Sequence, residues 1–269
     1  MDLKSKVTRL AACAVAAAAL AQPAHAVPVS LELYLAADVS GSIDGTDFAL
    51  QREGFASAFE SAAVIDAIAH SGSGIAVKLV DFATSVVTAV DWMHLTDAAS
   101  SNAFAAAIRA AGRGAAGGSD WQSNLMNVAL ADLNSNAFDG TRSVLDIASE
   151  GAQDIDGCAY NNVNCPTVQA ARDNFLGNGG TTINAIWLND RDFFGIDPED
   201  LINALEYGSL NVIGGTGAFQ VFAQDFTEFG AAIAQKIERE IIPAPEPGGL
   251  ALLGLGLAIL GAMRRRSRT

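Results

Sequence analysis

Residues 30–44 read SLELYLAADVSGSID. Leu31 to Ala37 is a short apolar run that stops at turn residues, the pattern of a buried strand. Asp38, Ser40 and Ser42 follow it, two apart. Two readings fit these side chains. They end a strand and cap the next helix, or they are part of a metal site. What the rest of the chain builds around them bears on the choice.

Downstream, Phe48, Phe55, Phe59 and Ala63 are spaced 7, 4 and 4 apart, one face of an amphipathic helix. Ile75–Phe82 and Val86–Trp92 read as strands joined by a hairpin at Ala83, Thr84 and Ser85. An alanine-rich helix is expected over 97–111, ended by Gly112, and another over 122–133 after a glycine-rich loop. A strand over 143–148 leads into a long polar loop, and Pro166 opens a helix to Leu176. NGGTTINAIWL, 178–188, is a turn and a strand. The next helix takes Asp197 as N-cap, Pro198 at its first position and Gly208 past its end. A last short strand reaches Phe222, and Phe226, Phe229, Ile233, Ile237 and Ile241 mark the inner face of a closing helix. The alternation predicts one α/β domain over 27–241. It is a Rossmann-like three-layer sandwich with a mostly parallel central sheet and one antiparallel edge strand.

The two ends are of another kind. Residues 1–26 have Lys4, Lys6 and Arg9, an apolar stretch and Ala24-His25-Ala26, the layout of a secretory signal peptide. Residues 242–247 are a linker containing Pro245-Glu246-Pro247. Residues 248–269 hold 16 residues without charge, Gly248 to Met263, and then Arg264, Arg265, Arg266 and Arg268. That is near the lower limit for spanning a bilayer, with the arginines on the cytoplasmic side. The Pro-Glu-Pro motif, apolar segment and terminal arginines resemble the PEP-CTERM sorting signal. The resemblance implies processing by an exosortase-type enzyme, a transient inner-membrane tether, and release to the cell surface or beyond. The alternative is a permanent anchor.

Residues 27–244 carry 9 basic and 28 acidic side chains, a net −19. Such a surface is a poor partner for nucleic acid and a plausible one for cations. Cys158 and Cys165 remain after the leader, and in an oxidising compartment a disulfide is expected.

In open α/β sheets ligands collect at the carboxyl ends of the strands. Asp38, Ser40 and Ser42 follow the first of these strands. Ser119, in GGSDW, precedes a helix, and Glu150, in VLDIASEGAQD, follows a later strand. With these pieces and the late NVIGGTGAFQVFAQDF, the chain from Val29 to Ile241 resembles a von Willebrand factor type A domain, and more closely a bacterial secreted subgroup of such domains. The resemblance implies a metal-ion-dependent adhesion site. Asp38, Ser40 and Ser42 match its Asp-x-Ser-x-Ser. Ser119 stands in place of the family's Thr and Glu150, one methylene longer, in place of its Asp. Asp120 or Asp146 is a possible auxiliary carboxylate.

Hard oxygen donors of this kind suit Mg2+, or Mn2+ or Ca2+. The expected function is an exported binding module that holds a protein or acidic polysaccharide through the cation. A structural matrix or assembly protein with a degenerate site is the alternative, and a secreted hydrolase a weaker one. No Gly-x-Ser-x-Gly elbow, Cys–His pair or zinc-like histidine set supports an enzyme. Gln153–Gly157 and the acidic stretch 189–200 read as polar loops, and His70 and His94 as surface or loop residues. Trp121 either rims the site or anchors its loop.

Overall fold

The structure, a computed structural model, describes residues 26–114, 117–158, 163–188 and 200–242. The stretches read as a signal peptide and as a sorting tail lie outside them, as do Asp197 and Pro198. Among the described residues no helix is long and apolar enough to cross a membrane.

The main sheet is built from β2 (Leu31–Asp38), β3 (Ile75–Phe82), β4 (Val86–Leu95), β6 (Ser143–Ser149), β7 (Thr182–Leu188), β8 (Gly214–Gly215) and β9 (Gln220–Ala223). Its order is β4-β3-β2-β6-β7, with β8 and β9 both paired to β7. β2 is parallel to β3 and β6, β6 to β7, and β7 to β9. β4 is antiparallel to β3, as the hairpin at 83–85 requires. The expectation of a single antiparallel strand is corrected by β8, which runs against β7 through Gly214 and Gly215. A further small sheet pairs β1 (Val27–Val29) with β5 (Phe138–Gly140), each too short to show a period in sequence.

Strand periodicity divides the core into two layers. On β2, Leu31, Leu33, Leu35 and Ala37 face one cluster, and Tyr34 and Ala36 the other. The first cluster is filled from α1 (Gly45–Glu60), α2 (Ala62–Ala69), α3 (Ala98–Ala110) and α7 (Phe226–Ile241). The second is filled from α4 (Gln122–Leu133), α5 (Pro166–Gly177) and α6 (Asp200–Tyr207). Phe59 and Phe104 meet edge to face with centroids 4.8 Å apart, and Phe55 and Phe229 at 5.2 Å. Gly54 lets α1 and α7 approach, because a Cβ there would sit 2.5 Å from Phe229 Cδ1.

Two expected helices differ in detail. The run from Phe48 to Ala63 is two helices, broken at Ser61, whose hydroxyl accepts from Val64 N at 3.3 Å and caps α2. Ala63 is exposed rather than in line with Phe55 and Phe59. Gly208 does not stop α6; the chain continues as a wide π-helical turn over Gly208–Val212, and the Asn211 side chain ties that turn to Val163 O and Cys165 N. Cys158 and Cys165 form the expected disulfide. On the chain-entropy account, so short a loop contributes about 2.5 kcal/mol.

Candidate metal centre

α1 has its own cap. Asp44 accepts from Thr46 N at 2.6 Å and Asp47 N at 2.9 Å. Ser40 and Ser42 are therefore not helix caps, and that reading of the opening motif falls. Their hydroxyls lie 3.3 Å apart at the carboxyl end of β2. Ser40, Ser42, Ser119, Asp120, Glu150 and Asp154 line one cavity of about 210 Å³.

Three loops meet there, and backbone hydrogen bonds hold them. Gly41 N donates to Gly118 O at 3.0 Å, and Gly117 N to Val39 O at 3.0 Å. Gly118 has φ +84°, and a Cβ on it would strike Thr84 Oγ1 at 2.1 Å. The same Thr84 hydroxyl accepts from Ser119 N at 3.1 Å, so the hairpin turn fixes the serine loop. Arg113 Nη2 donates to Val39 O, Ser40 O and Ile43 O at 3.0, 3.2 and 2.8 Å. One guanidinium thus holds the Asp-x-Ser-x-Ser loop. Asp81, which pairs with Arg52, accepts from Gly114 N at 2.9 Å, next to that arginine.

Asp38 is fully buried. Its Oδ1 accepts from Ser40 N at 2.8 Å and its Oδ2 from Ser149 Oγ at 2.9 Å. The Ser149 hydroxyl also lies 2.6 Å from Asp120 Oδ2 and 3.1 Å from Gly151 O. A hydroxyl has one proton to give, so it cannot satisfy both carboxylates. Burial pushes both carboxyls up, and for Asp120 the nearby charge of Asp38 adds to the effect. Asp120 Oδ1 has no hydrogen-bond partner among the described residues.

The loop after β6 is tied from beneath. Tyr207 Oη donates to Gln122 Oε1 at 2.8 Å and accepts from Gln153 N at 3.0 Å. Gln122 Nε2 donates to Gly151 O at 2.9 Å and Asp120 Oδ2 at 3.3 Å. Gln153 Oε1 accepts from Ser123 N at 2.8 Å, and its Nε2 donates to Thr167 Oγ1 at 3.2 Å, beside the disulfide.

Of the expected site residues, Asp38, Ser40, Ser42, Ser119, Glu150 and Asp120 gather in one place. Asp146 does not, which corrects its reading as an auxiliary ligand. It lies three residues before Ser149, so it points to the other face of β6, where it pairs with Lys236. Trp121 is half-buried and does not line the cavity. His94 sits on β4 with Nε2 2.8 Å from Ser73 O, and His70 is exposed. Ser149, Arg113, Thr84, Gln122 and Tyr207 were not singled out in the sequence. Among the described residues no group of three or more His, Cys, Asp or Glu is spaced to hold a metal.

The fold has solved counterparts. Proximal thread matrix protein 1 from the mussel byssus is similar at 14% identity and TM-score 0.51, over 79% of this chain and 48% of that one. The pilus adhesin SpaC from Lactobacillus rhamnosus GG is similar at 13% identity and TM-score 0.53, over 79% and 31%. A von Willebrand factor type A protein from Catenulispora acidiphila gives 14% identity and TM-score 0.49, over 80% and 43%. The chain thus spans less than half the length of each, and at these identities the likeness is one of fold. A search of curated protein sequences finds no match. The pattern of one family, described as Protein of unknown function (DUF1194), matches residues 28–245, through every strand of the main sheet and every oxygen of the cavity; the chain belongs to that family.

Proposed function

We propose that this domain is an exported binding module of the von Willebrand A type. It would use a divalent cation in the 210 Å³ cavity to hold an acidic protein or polysaccharide partner at the cell surface or in the extracellular matrix. The observation that carries the reading is the convergence of Ser40, Ser42, Ser119, Asp120 and Glu150 on one cavity, with an unpartnered, buried Asp120 oxygen among them. Hydroxyl and carboxylate oxygens at this spacing suit Mg2+ or Mn2+, which keep waters and accept few protein ligands. A bound cation would hold Asp38 and Asp120 ionised against the burial that now raises them. Serine hydroxyls bring no charge, so an ion touched by a single carboxylate keeps positive charge and attracts an anionic group of a partner. The names of two similar folds, a thread matrix protein and a pilus adhesin, are in keeping with such a role. The export and tail signals of the sequence fit the same setting.

Titration of Mg2+ or Mn2+ against the thermal stability of residues 27–244 tests this. A cation at a hundred times its Kd stabilises by about 2.7 kcal/mol, or roughly 5–10 °C for a domain of this size. Asp38→Ala should abolish the rise. An intact domain whose melting ignores both cations is instead the structural matrix protein with a degenerate site.

A further inference from the structure

The cation-site reading leaves open which carboxylate touches the ion. We propose that Asp120 is a carboxylate in direct contact, with Asp38 acting behind the serine hydroxyls. The inference rests on the reading above and sharpens it.

Asp38 has Oδ1 engaged by Ser40 N, while its Oδ2 competes with Asp120 Oδ2 for the one proton of Ser149 Oγ. It is a brace for the loop. Asp120 is 5% exposed; its carboxyl lies beside that of Asp38, its Oδ2 is engaged by Ser149 Oγ and Gln122 Nε2, and its Oδ1 is left without a hydrogen bond among the described residues. A buried carboxylate oxygen with no partner is costly, and native structures keep few of them without a reason. Here Asp120 lines the cavity beside Ser40, Ser42 and Ser119.

The side chain is also held in that pose. Gln122 Oε1 accepts from Tyr207 Oη, so its amide nitrogen must face Gly151 O and Asp120 Oδ2. Turning the amide over would set two acceptors against each other at both of these contacts and leave the Tyr207 hydroxyl without an acceptor. Gln153 N, donating to Tyr207 Oη, fixes the hydroxyl in turn. Asp120 therefore has a fixed pose, with one oxygen lacking a hydrogen bond, on a short side chain that lines the cavity. Sequence alignment to the family motif would pass over it, because it stands one residue after the serine that takes the place of the family's threonine.

Direct contact by one carboxylate also leaves the ion with net positive charge, which the proposed anionic partner requires.

Mn2+ binding to the purified chain, read by the loss of the free-ion electron paramagnetic resonance signal, tests the assignment. Asp120→Asn should weaken binding by roughly tenfold or more, in line with the loss of a ligand group. Glu150→Gln should weaken binding less than Asp120→Asn does. Loss of binding in Glu150→Gln with retention in Asp120→Asn overturns the assignment, and so do equal losses in both. Wild-type chain that takes up no Mn2+ overturns the cation site itself, a separate failure. Should Asp120→Asn not fold, wild-type crystals soaked in Mn2+ decide: an anomalous peak bonded to Asp120 Oδ1 supports the assignment, and one bonded to Glu150 and not to Asp120 overturns it.

Discussion

The two faces of β6 each carry a buried acidic cluster, and the two are neutralised differently. On the face toward α7, Asp146 pairs with Lys236, whose Nζ also lies 2.6 Å from Glu240 Oε1. Asn184 Nδ2 donates to the same Glu240 oxygen at 2.7 Å. On the face toward α4, Asp38 and Asp120 share one serine hydroxyl, and among the described residues no lysine or arginine forms an ion pair with either. Arg113, which reaches the same loop, is spent on three backbone carbonyls. The first cluster contains its cation and belongs to the core. The second has hydroxyls, a cavity and two acids raised by burial, and the proposed cation from outside would supply its balancing charge. Burial of acids therefore says little about function; the location of the balancing charge says more.

The largest effect should come from taking away the internal cation. Lys236→Met leaves Asp146 and Glu240 buried without it, at a cost of about 3–5 kcal/mol. Urea unfolding would read this, and added Mg2+ should not restore the loss. Replacing Lys236, Asp146 and Glu240 together by apolar residues should recover most of it, since a buried ionic group can be exchanged for packing at little net cost. A Lys236→Met chain rescued by Mg2+ would break the contrast between the faces.

A smaller effect follows from the proton held in the same cluster. Burial first, and then the charge of Glu240, push Asp146 up to about 8. One lysine cannot balance two ionised acids in so dry a place. An acid raised in the folded state stabilises fully below its unfolded value, near 3.9, and loses that contribution as pH rises toward the folded one. Stability should fall between pH 5 and 8, with a slope of at most about 1.4 kcal/mol per pH unit from this group. Asp146→Asn should remove its share of that slope and leave the share of Asp120, which burial and the charge of Asp38 also raise. Glu53, held down to about 2 chiefly by its hydrogen bonds to Arg109, acts in the opposite direction and only at lower pH, so it does not disturb the window. A slope that survives Asp146→Asn unchanged places the proton elsewhere.

Much of this contrast was within reach of the sequence, and part was not. Leu31–Ala37 and the closing helix were legible because each buries a run or a stripe whose period matches its element. The two faces of β6 were legible in principle: Asp146 and Ser149 are three apart, an odd spacing that sends their side chains to opposite faces. Reading Asp146 as a ligand ignored that parity. The Ser61 break was hidden because the apolar spacing runs across it. Gly208 misled because a glycine after a helical stretch usually ends it, whereas here Asn211 holds a further turn. Tyr207 could not be found at all, since it reaches the site from a distant element, and Arg113 and Gln122, although close in sequence to Ser119 and Asp120, have no local mark of the partners they bind.

Arg113 gives the smallest expected effect and the finest test of the comparison. Its guanidinium lies over the Phe48 ring, 5.6 Å from the centroid, and donates to the carbonyls of Val39, Ser40 and Ile43. Arg113→Ala should cost about 1–2 kcal/mol, the order expected when half-buried acceptors lose a charged donor. A loss of that size alone would mark only a structural arginine. If the guanidinium holds the serines in register for a cation, the variant should also show a smaller Mg2+-induced rise in melting temperature. Arg113→Lys, which keeps the charge but not the planar fork, should fall between. Lys236→Met, although far less stable, should keep the full rise, because the cluster it disturbs lies on the other face of β6. Equal cation responses in wild type and Arg113→Ala would mean that the Asp-x-Ser-x-Ser loop keeps its shape without the arginine. The backbone bonds from Gly41 to Gly118 and from Gly117 to Val39 would then suffice to assemble the site.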